Sequence, residues 1–231
     1  MLTSEDYLSG QVLLIDKPLH WTSFQVVNKL RYEIKKTFNL KNIKVGHAGT
    51  LDPLATGLLV ICTGKMTKQI DSFQGQIKEY TGTFVLGSTT PSFDLETGID
   101  ETFATSHITQ GLIQQTTNQF IGDIEQVPPV FSALKQDGKR LYQFARAGEQ
   151  VHIKSRKVTI QAFEITGIDE LNVDFKIVCS KGTYIRSIAN DFGKALQSGA
   201  HLSALRRTKI GDFNVNTAVT VDDFLKNLAS E

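Results

Sequence analysis

The sequence has little cysteine and no long apolar run, and both deficits exclude classes of protein. Only Cys62 and Cys179 occur among the 231 residues, and each lies within an apolar run. A disulfide scaffold is therefore excluded, and buried thiols of a reducing compartment are expected. No segment approaches the roughly 18 apolar residues that a membrane helix needs, and the first residues are acidic where a signal peptide is basic. We expect a cytoplasmic protein without a membrane partner.

Common motifs of metal and cofactor binding are also missing. The histidines, cysteines and aspartates show none of the close spacings of a zinc site. The glycines follow neither dinucleotide nor P-loop spacing, and no nucleophile elbow of the Gly-x-Ser-x-Gly kind occurs. We therefore expect neither a metal ion nor an organic cofactor.

Basic residues are absent from residues 91–125, and this absence reveals an uneven charge along the chain. The whole sequence has 25 Lys and Arg against 24 Asp and Glu, so its net charge is only +1. Residues 91–125 carry six acids and no base, whereas residues 126–210 carry fourteen bases and seven acids. The basic block predicts either a phosphate-binding face or an ordinary solvated surface, because neighbours in sequence need not form a patch in space.

The pattern of apolar residues predicts an α+β protein with a mixed, mostly antiparallel central sheet flanked by helices. With 40% hydrophobic residues, the chain is long enough for a sizeable core. Thr22-Ser23 and Thr183 are the expected N-caps of the helices that follow them. The predicted strands are 11–15, 58–62, 77–86, 120–127, 158–168 and 171–180, and the predicted helices are 24–38, 105–117, 139–146, 183–196 and 221–228.

Residues 44–59 form the most unusual segment, because Gly46, Gly49, Pro53 and Gly57 recur too closely for a regular helix. Pro53 biases Asp52 toward an extended backbone, and glycines permit conformations closed to other residues. One carboxylate, Asp52, is thus held on a structured loop that leads into an apolar strand. It either caps a turn or acts in catalysis.

Residues 179–191 predict a strand end, a glycine turn and the start of a helix. Tyr184 and Arg186 are expected in the first helical turn. Arginine is unfavourable there because the N-terminal end of the helix dipole is positive. Arg186 therefore either pairs with a carboxylate or is an ordinary surface residue.

Residues 126–148 combine basic and aromatic side chains. The basic members are Lys135, Lys139, Arg140 and Arg146, and they alternate with Phe131, Tyr142 and Phe144. This pattern is typical of a surface that holds phosphates and stacks bases, and equally of a surface helix with a buried aromatic stripe.

Six motifs then follow one another along nearly the whole chain. They are Asp16-Lys17-Pro18 with Thr22-Ser23, the string 46–57, Lys78-Glu79-Tyr80, Pro128-Pro129 with Ser132-Ala133-Leu134-Lys135, Gly182-Thr183-Tyr184-Ile185-Arg186, and Ala200-His201-Leu202 with Leu205-Arg206-Arg207. In this order they resemble the bacterial tRNA pseudouridine-55 synthases, the TruB type. The string 46–57 is the most specific of them.

This resemblance implies a fold, an activity and a partner. The fold is the pseudouridine synthase fold, with one catalytic domain over 1–231 and a thumb insertion at about 126–155. The activity is isomerisation of uridine to pseudouridine, at U55 of the T-loop, on a flipped nucleoside and without metal or organic cofactor. The partner is the T-stem-loop of tRNA, and a monomer is expected. The chain resembles a short form without a C-terminal PUA domain.

The resemblance also implies roles for individual residues. Asp52 is the nucleophile, and Arg186 pairs with it. Tyr80 stacks on the uracil, while Tyr184 and Leu205 complete the pocket. His47 fills the space left by the flipped base, and Lys17 supports the catalytic loop and is counted with the substrate-binding residues. The RNA-binding residues are Lys135, Lys139, Arg140, Arg146, Arg206 and Arg207.

Besides the expected lack of a PUA domain, two departures from the family pattern and two rival functions accompany this interpretation. His20 stands where the family commonly has glycine, and Ser92 lies in a segment that is usually more acidic. An RNA-binding tRNA folding factor with incidental catalysis is the alternative function. A glycoside or nucleoside hydrolase needs a second carboxylate paired with Asp52, and no candidate stands out in the motifs.

Overall fold

The structure is a computed structural model, and it describes residues 2–132, 134–136, 138–149 and 151–229. Helices and strands are numbered in chain order. The helices are α1 (Ser4–Ser9), α2 (Ser23–Thr37), α3 (Ile70–Gly75), α4 (Gln110–Thr117), α5 (Leu141–Arg146), α6 (Ile185–Ala195) and α7 (Val221–Ala229). The strands are β1 (Val12–Lys17), β2 (Val45–His47), β3 (Ala55–Thr63), β4 (Lys78–Leu86), β5 (Ser88–Thr89), β6 (Glu101–Thr102), β7 (Gly122–Gln126), β8 (Lys135–Gln136), β9 (Lys139–Arg140), β10 (Arg156–Asp169), β11 (Asn172–Cys179), β12 (Ala200–Ile210), β13 (Phe213–Asn214) and β14 (Val219–Thr220).

The chain divides into two compact units. The first unit consists of Met1–Tyr80 and Leu205–Glu231, and the second consists of Thr81–Ala204. Strands β4 and β12 each contribute residues to both units. Within the described ranges, no helix is long and apolar enough to cross a membrane.

The first unit has a mixed sheet in the order β14-β1-β3-β12. Strand β1 is antiparallel to β3 and parallel to β14, and β12 is parallel to β3. The short strands β2 and β13 pair with β3 and β12 respectively. Apolar side chains of β1 and β3 pack with α2 and α7 in a core that includes Ile15, Leu30, Ile61 and Phe224.

Helix α2 forms where local sequence signals predict it. The Thr22 hydroxyl oxygen accepts a hydrogen bond from the Gln25 backbone N–H at 3.0 Å, and Gln25 Oε1 accepts one from the Thr22 backbone N–H at 2.7 Å. This reciprocal capping box satisfies two donors that the helix start leaves unpaired. Its buried face carries Val26, Leu30 and Ile34, spaced four residues apart.

The second unit is built on antiparallel strands. Strand β10 is antiparallel to β11 and to β7, and the hairpin β10–β11 agrees with the sequence prediction. Its core is aromatic: Phe84 stacks on Phe175 with ring centroids 4.2 Å apart, and Phe163 and Phe192 lie 5.4 Å apart. The expected thumb at about 126–155 within one catalytic domain stays a prediction.

Three predicted elements differ from the structure. Residues 139–140 form strand β9, so the helix predicted at 139–146 begins only at Leu141. Helix α4 begins at Gln110, because Thr109 caps it by accepting the Leu112 N–H. Thr183 is not an N-cap, because its hydroxyl donates to the Ser180 carbonyl oxygen and Tyr184 takes the cap position.

Candidate active site

Asp52 lies on the loop between β2 and β3, and this loop has a fixed backbone. Gly49 and Gly57 have φ values of +98° and +102°, in the left-handed region that favours glycine. The Asp52 carbonyl oxygen accepts the Ala55 N–H at 3.1 Å, and this bond closes the turn just before β3. The Asp52 side chain is half-buried. The sequence prediction of a structured loop around one carboxylate agrees with this geometry.

The residue before Asp52 is held by the first residue of α2. Ser23 and Leu51 are both buried, with exposed fractions of 2% and 3%. The Ser23 hydroxyl oxygen accepts the Leu51 N–H at 2.8 Å, and the hydroxyl donates to the Leu51 carbonyl oxygen at 3.1 Å. Both backbone groups of Leu51 are satisfied by one side chain, so the loop is tied to the helix at this point.

His20 stands where the family commonly has glycine, and its backbone conformation shows why glycine suits this position. Its φ is +66°, a left-handed conformation that glycine adopts without the steric cost of a side chain. Its backbone N–H donates to the Pro53 carbonyl oxygen at 2.8 Å. The backbone therefore keeps the conformation that a glycine suits, and it binds the residue after Asp52.

Arg207 supports the same loop from inside the protein. It is only 1% exposed, and its Nε and Nη2 donate to the carbonyl oxygens of Leu58 at 2.8 Å and Gly49 at 3.0 Å. A Cβ at Gly57 would lie 2.3 Å from the Arg207 carbonyl oxygen, so only glycine fits this close approach. The predicted RNA-binding role placed Arg207 on the surface, whereas the structure places its guanidinium in the interior beneath the Asp52 loop.

Lys17 ends β1 as a fully buried cation. Its Nζ donates to the carbonyl oxygens of Pro18 at 2.9 Å and Trp21 at 2.6 Å. Burial lowers the pKa of Lys17 to about 8, the nearby Asp52 carboxylate opposes this shift, and Arg207 adds to it. The charges of Asp52 and Arg207 therefore both act on Lys17.

His47 and Leu205 lie in the same unit as Asp52. His47 ends β2, and its Nε2 is 3.1 Å from the Thr50 hydroxyl oxygen. Burial, and to a lesser extent the Arg207 charge, lowers the pKa of His47 below 6.5, so its imidazole is neutral at pH 7. Leu205 is paired in register with Ala55, three residues after Asp52.

Arg206 and Tyr80 are also in this unit. Arg206 forms a two-point ion pair with Asp16, with nitrogen–oxygen distances of 2.6 and 3.0 Å, and its side chain remains 40% exposed. This pair ties β12 to β1. Tyr80 is the third residue of β4 and is 8% exposed.

The second unit holds Arg186 in a buried ion pair. Arg186 and Asp94 have side-chain exposures of 4% and 6%, and Arg186 Nε lies 3.5 Å from Asp94 Oδ2. Arg186 Nη1 also donates to the Ser92 carbonyl oxygen at 3.2 Å. The pairing predicted for Arg186 with Asp52 joins residues of different units and stays a prediction.

Two functional candidates were absent from the sequence-based set. Asp94 was not identified as a partner of Arg186, although the unfavourable position of an arginine near a helix start did predict a carboxylate. Ser23 was identified with the helix cap and as part of one motif, but not with a partner in the Asp52 loop, and its bonds to Leu51 join residues 28 positions apart. In both cases the residue type gave a signal, but the partner lies too far along the chain for local patterns to identify.

The basic segment is described in part. Lys139 and Arg140 are exposed on β9, and Lys139 Nζ lies 5.6 Å from the centroid of the Phe144 ring. The side chains of Lys135 and Arg146 lie outside the described part of the structure.

Solved structures share this arrangement of strands and helices. The chain aligns with one from a Cbf5–Nop10–Gar1 complex with a TM-score of 0.72 and 29% identity, covering 98% of this chain and 58% of that one. A second match is an H/ACA ribonucleoprotein bound to a substrate RNA containing 2′-deoxyuridine, with a TM-score of 0.69 and 27% identity, covering 97% and 57% of the two chains. The chain thus spans somewhat over half the length of these structural relatives.

Curated relatives match over the full length. The tRNA pseudouridine synthase B of Flavobacterium johnsoniae is 63% identical over 228 residues, which is 98% of this chain and 100% of that protein. The tRNA pseudouridine synthase B of Parabacteroides distasonis is 52% identical over 224 residues, covering 96% and 95% of the two chains. The fold and these relatives define the class as pseudouridine synthases.

Family models give the closer assignment. The model of the TruB family pseudouridylate synthase N-terminal domain matches residues 35–185, and that of the tRNA pseudouridylate synthase B C-terminal domain matches residues 186–231. The chain belongs to the TruB family of pseudouridylate synthases. The family and the mixed, mostly antiparallel fold expected from the sequence are thereby confirmed.

Proposed function

We propose that this protein isomerises uridine to pseudouridine in tRNA, at U55 of the T-loop, with Asp52 as the nucleophile. Membership of the TruB family and 63% identity to a tRNA pseudouridine synthase B support the reaction. The observation that carries the role of Asp52 is its loop, which Ser23 and Arg207 hold through the backbone of Gly49 and Leu51 before it and of Leu58 after it. Because this backbone is already held in place, less entropy is lost in orienting Asp52 for attack.

The reaction is balanced without a co-reactant. The bond from uracil N1 to C1′ breaks, a bond from C5 to C1′ forms, the C5 proton leaves and N1 gains a proton. Nothing is oxidised or reduced, so a nucleophile and a proton acceptor suffice. Asp52 forms a covalent bond to the target nucleoside while the base turns, and this bond breaks again before the product leaves, so the carboxylate is regenerated. The target nucleotide leaves the stack first, because neighbouring bases block C1′ and the uracil faces.

The remaining site residues have two kinds of proposed role: some contact the base or fill the space it leaves, and others hold Asp52 or its loop. Tyr80 stacks on the uracil near C5, Tyr184 and Leu205 line the pocket, and His47 occupies the space that the flipped nucleoside leaves. A neutral His47 suits this role, since it brings no charge into the base stack. Arg186 is the proposed ion-pair partner that orients Asp52. Lys17 supports the catalytic loop, and its buried Nζ donates to the carbonyl oxygens of Pro18 and Trp21.

The proposed partner is the T-stem-loop of tRNA, bound by a monomer in the cytoplasm. The exposed residues Lys139 and Arg140 belong to the proposed thumb, together with Lys135 and Arg146. Arg206 is 40% exposed beside Asp16 and can offer part of its guanidinium to a phosphate. Light scattering of the purified protein tests the monomer.

The decisive experiment is Asp52→Asn, which keeps the shape of the side chain and removes its nucleophilicity. Mass-spectrometric mapping of tRNA after incubation should detect pseudouridine at position 55 with the wild type and none with the variant, while RNA affinity is retained. Asp71→Asn, at an exposed aspartate of α3, is the matched control and should remain active. Pseudouridine formed by Asp52→Asn would remove the proposed nucleophile.

The same variant separates catalysis from an RNA-folding function. If tRNA folding or cellular fitness depends on the protein but not on the charge of Asp52, the folding factor is the better description. If both require Asp52, catalysis is the function.

A further inference from the structure

Gln126 holds the backbone of Tyr184 at two points. Its side chain is fully buried at the last position of β7. Gln126 Oε1 accepts the Tyr184 N–H at 2.8 Å, and Gln126 Nε2 donates to the Tyr184 carbonyl oxygen at 3.1 Å. One amide therefore satisfies both polar groups of the residue that caps α6.

Arg156 holds the ring of the same tyrosine. Its Cζ lies 4.5 Å from the centroid of the Tyr184 ring, a distance typical of a cation–π stack. Its Nε and Nη2 are buried and have no hydrogen-bond partner among the described residues. Unpaired buried donors are costly. The stack on Tyr184 is a favourable contact of this guanidinium in the described part of the chain.

Gln126 and Arg156 are register partners in neighbouring strands. They lie opposite each other in the antiparallel ladder of β7 and β10, at the end of one strand and the beginning of the other. The segment 127–155 leaves and re-enters the sheet at this pair. A further bond joins the same strand end to α6, because the Ser187 hydroxyl donates to the Val127 carbonyl oxygen at 2.8 Å.

We propose that Gln126 and Arg156 are positioning residues that fix Tyr184 for the reaction and connect it to segment 127–155. Gln126 sets the backbone of Tyr184, and Arg156 sets the plane of its ring. The inference rests on the proposed function, in which Tyr184 lines the uridine pocket. Neither residue needs to contact the substrate, since each acts through Tyr184.

Arg156→Met tests the ring contact, and Lys157→Met is its matched control. Lys157 is the next residue, is exposed, and pairs with Asp123 at 3.0 Å. In single turnovers at saturating T-stem-loop RNA, Arg156→Met should lower the rate at least about tenfold with the RNA dissociation constant changed less than about twofold. Lys157→Met should leave the saturated rate unchanged. Gln126→Glu keeps the oxygen that accepts the Tyr184 N–H and loses the Nε2 donor to the Tyr184 carbonyl oxygen, so it should lower the same rate. This variant tests the proposal if Arg156→Met folds poorly.

A double-mutant cycle distinguishes positioning from general stability. If Arg156 acts through Tyr184, the variant Arg156→Met with Tyr184→Leu should be no slower than Tyr184→Leu alone. Independent losses that multiply would overturn the proposal, as would unchanged saturated rates in Arg156→Met and Gln126→Glu. Loss of RNA affinity at an unchanged saturated rate would also overturn it, because Arg156 would then be an RNA contact.

The wild type in the same assay separates this inference from the proposed function. A wild type that forms no pseudouridine overturns the proposed function and the inference with it. An active wild type with equally active variants overturns the positioning role alone.

Discussion

The Ser23 hydroxyl makes two hydrogen bonds to the backbone of Leu51, accepting its N–H at 2.8 Å and donating to its carbonyl oxygen at 3.1 Å. Ser23 begins α2, and Leu51 precedes Asp52. The direction of the proposed nucleophile therefore depends on where a helix begins. The capping box of Thr22 and Gln25 fixes that beginning, so a local sequence signal contributes to the geometry of the site.

Ser23→Ala should loosen the Asp52 loop. It leaves two buried backbone groups of Leu51 unsatisfied, which costs about 1–3 kcal/mol of stability and lowers the melting temperature by roughly 2–4 °C per kcal/mol. The single-turnover rate should fall about tenfold or more, because the carboxylate is less well oriented. Thermal unfolding and rapid-quench kinetics measure the two effects.

Ser9→Ala is the control for this prediction. Ser9 is exposed, and its hydroxyl donates to the Asp6 carbonyl oxygen one turn earlier. Its loss should change neither the melting temperature nor the rate. A Ser23→Ala protein with the stability and rate of the wild type would show that the loop does not need the helix start.

The sequence predicted the parts of the fold that depend on neighbouring residues. Helix α2 was predicted within one residue at each end, because its N-cap and its buried face are determined by residues close to one another in the sequence. The start of α6 was missed, because Thr183 bonds to a strand end and Tyr184 is held by Gln126, 58 positions away. A local pattern cannot choose between a threonine cap and a distant amide.

In the candidate site, too, features set by neighbouring residues were predicted, and features set by distant partners were not. Gly49, Gly57 and Pro53 predicted a structured loop because their backbone preferences are intrinsic. The burial of Arg207 was not predictable, since a charged residue in a basic motif favours a surface position until its acceptors are known. Those acceptors are carbonyl oxygens about 150 positions earlier in the chain, at Gly49 and Leu58.

Lys17 predicts a pH dependence of the reaction. Because its pKa is about 8, raising the pH through 8 removes a positive charge near Asp52. The single-turnover rate should therefore decrease above pH 8. The lowered pKa of His47 lies below 6.5 and cannot produce this step. Rates measured between pH 6 and pH 10 at saturating RNA test the prediction.

Lys17→Met is the comparison that assigns the step. Ionisation of the RNA affects the wild type and the variant equally. A decrease in the single-turnover rate near pH 8 that occurs only in the wild type is therefore caused by deprotonation of Lys17. Stability gives a second signature. Between pH 8 and 10.5 the unfolded chain keeps a proton that folded Lys17 has lost, so the wild-type free energy of unfolding should rise relative to Lys17→Met. Identical profiles for the two proteins would contradict the assignment.

Asp94→Asn should destabilise the second unit. The amide keeps the Oδ1 acceptor for the Glu96 N–H and removes the negative charge that faces Arg186. Removing one partner of a buried ion pair costs about 3–5 kcal/mol, which urea denaturation measures directly. Asp100→Asn is the control. This exposed carboxylate accepts a surface hydrogen bond from the Thr89 hydroxyl, so the substitution should cost less than about 0.5 kcal/mol. Equal losses in the two variants would count against the buried pair.

The basic segment predicts a salt-dependent affinity for tRNA. Lys139 and Arg140 are exposed and adjacent, so reversing both charges removes two phosphate contacts if the proposed thumb binds RNA. The slope of log affinity against log salt should decrease in magnitude by about 1.5, because each contact on nucleic acid contributes about 0.7–0.9. Binding titrations of Lys139→Glu with Arg140→Glu, over a range of salt concentrations, measure this slope.

The control reverses the same number of charges elsewhere. Lys35→Glu with Lys36→Glu alters the net charge equally but lies in the last turn of α2, outside the basic segment. If only the thumb variant changes the slope, the segment makes local phosphate contacts. If both variants change the slope equally, the affinity follows the total charge of the protein and the thumb has no special part in binding. We expect the first outcome, because a net charge of only +1 attracts RNA weakly unless the basic residues form a local face.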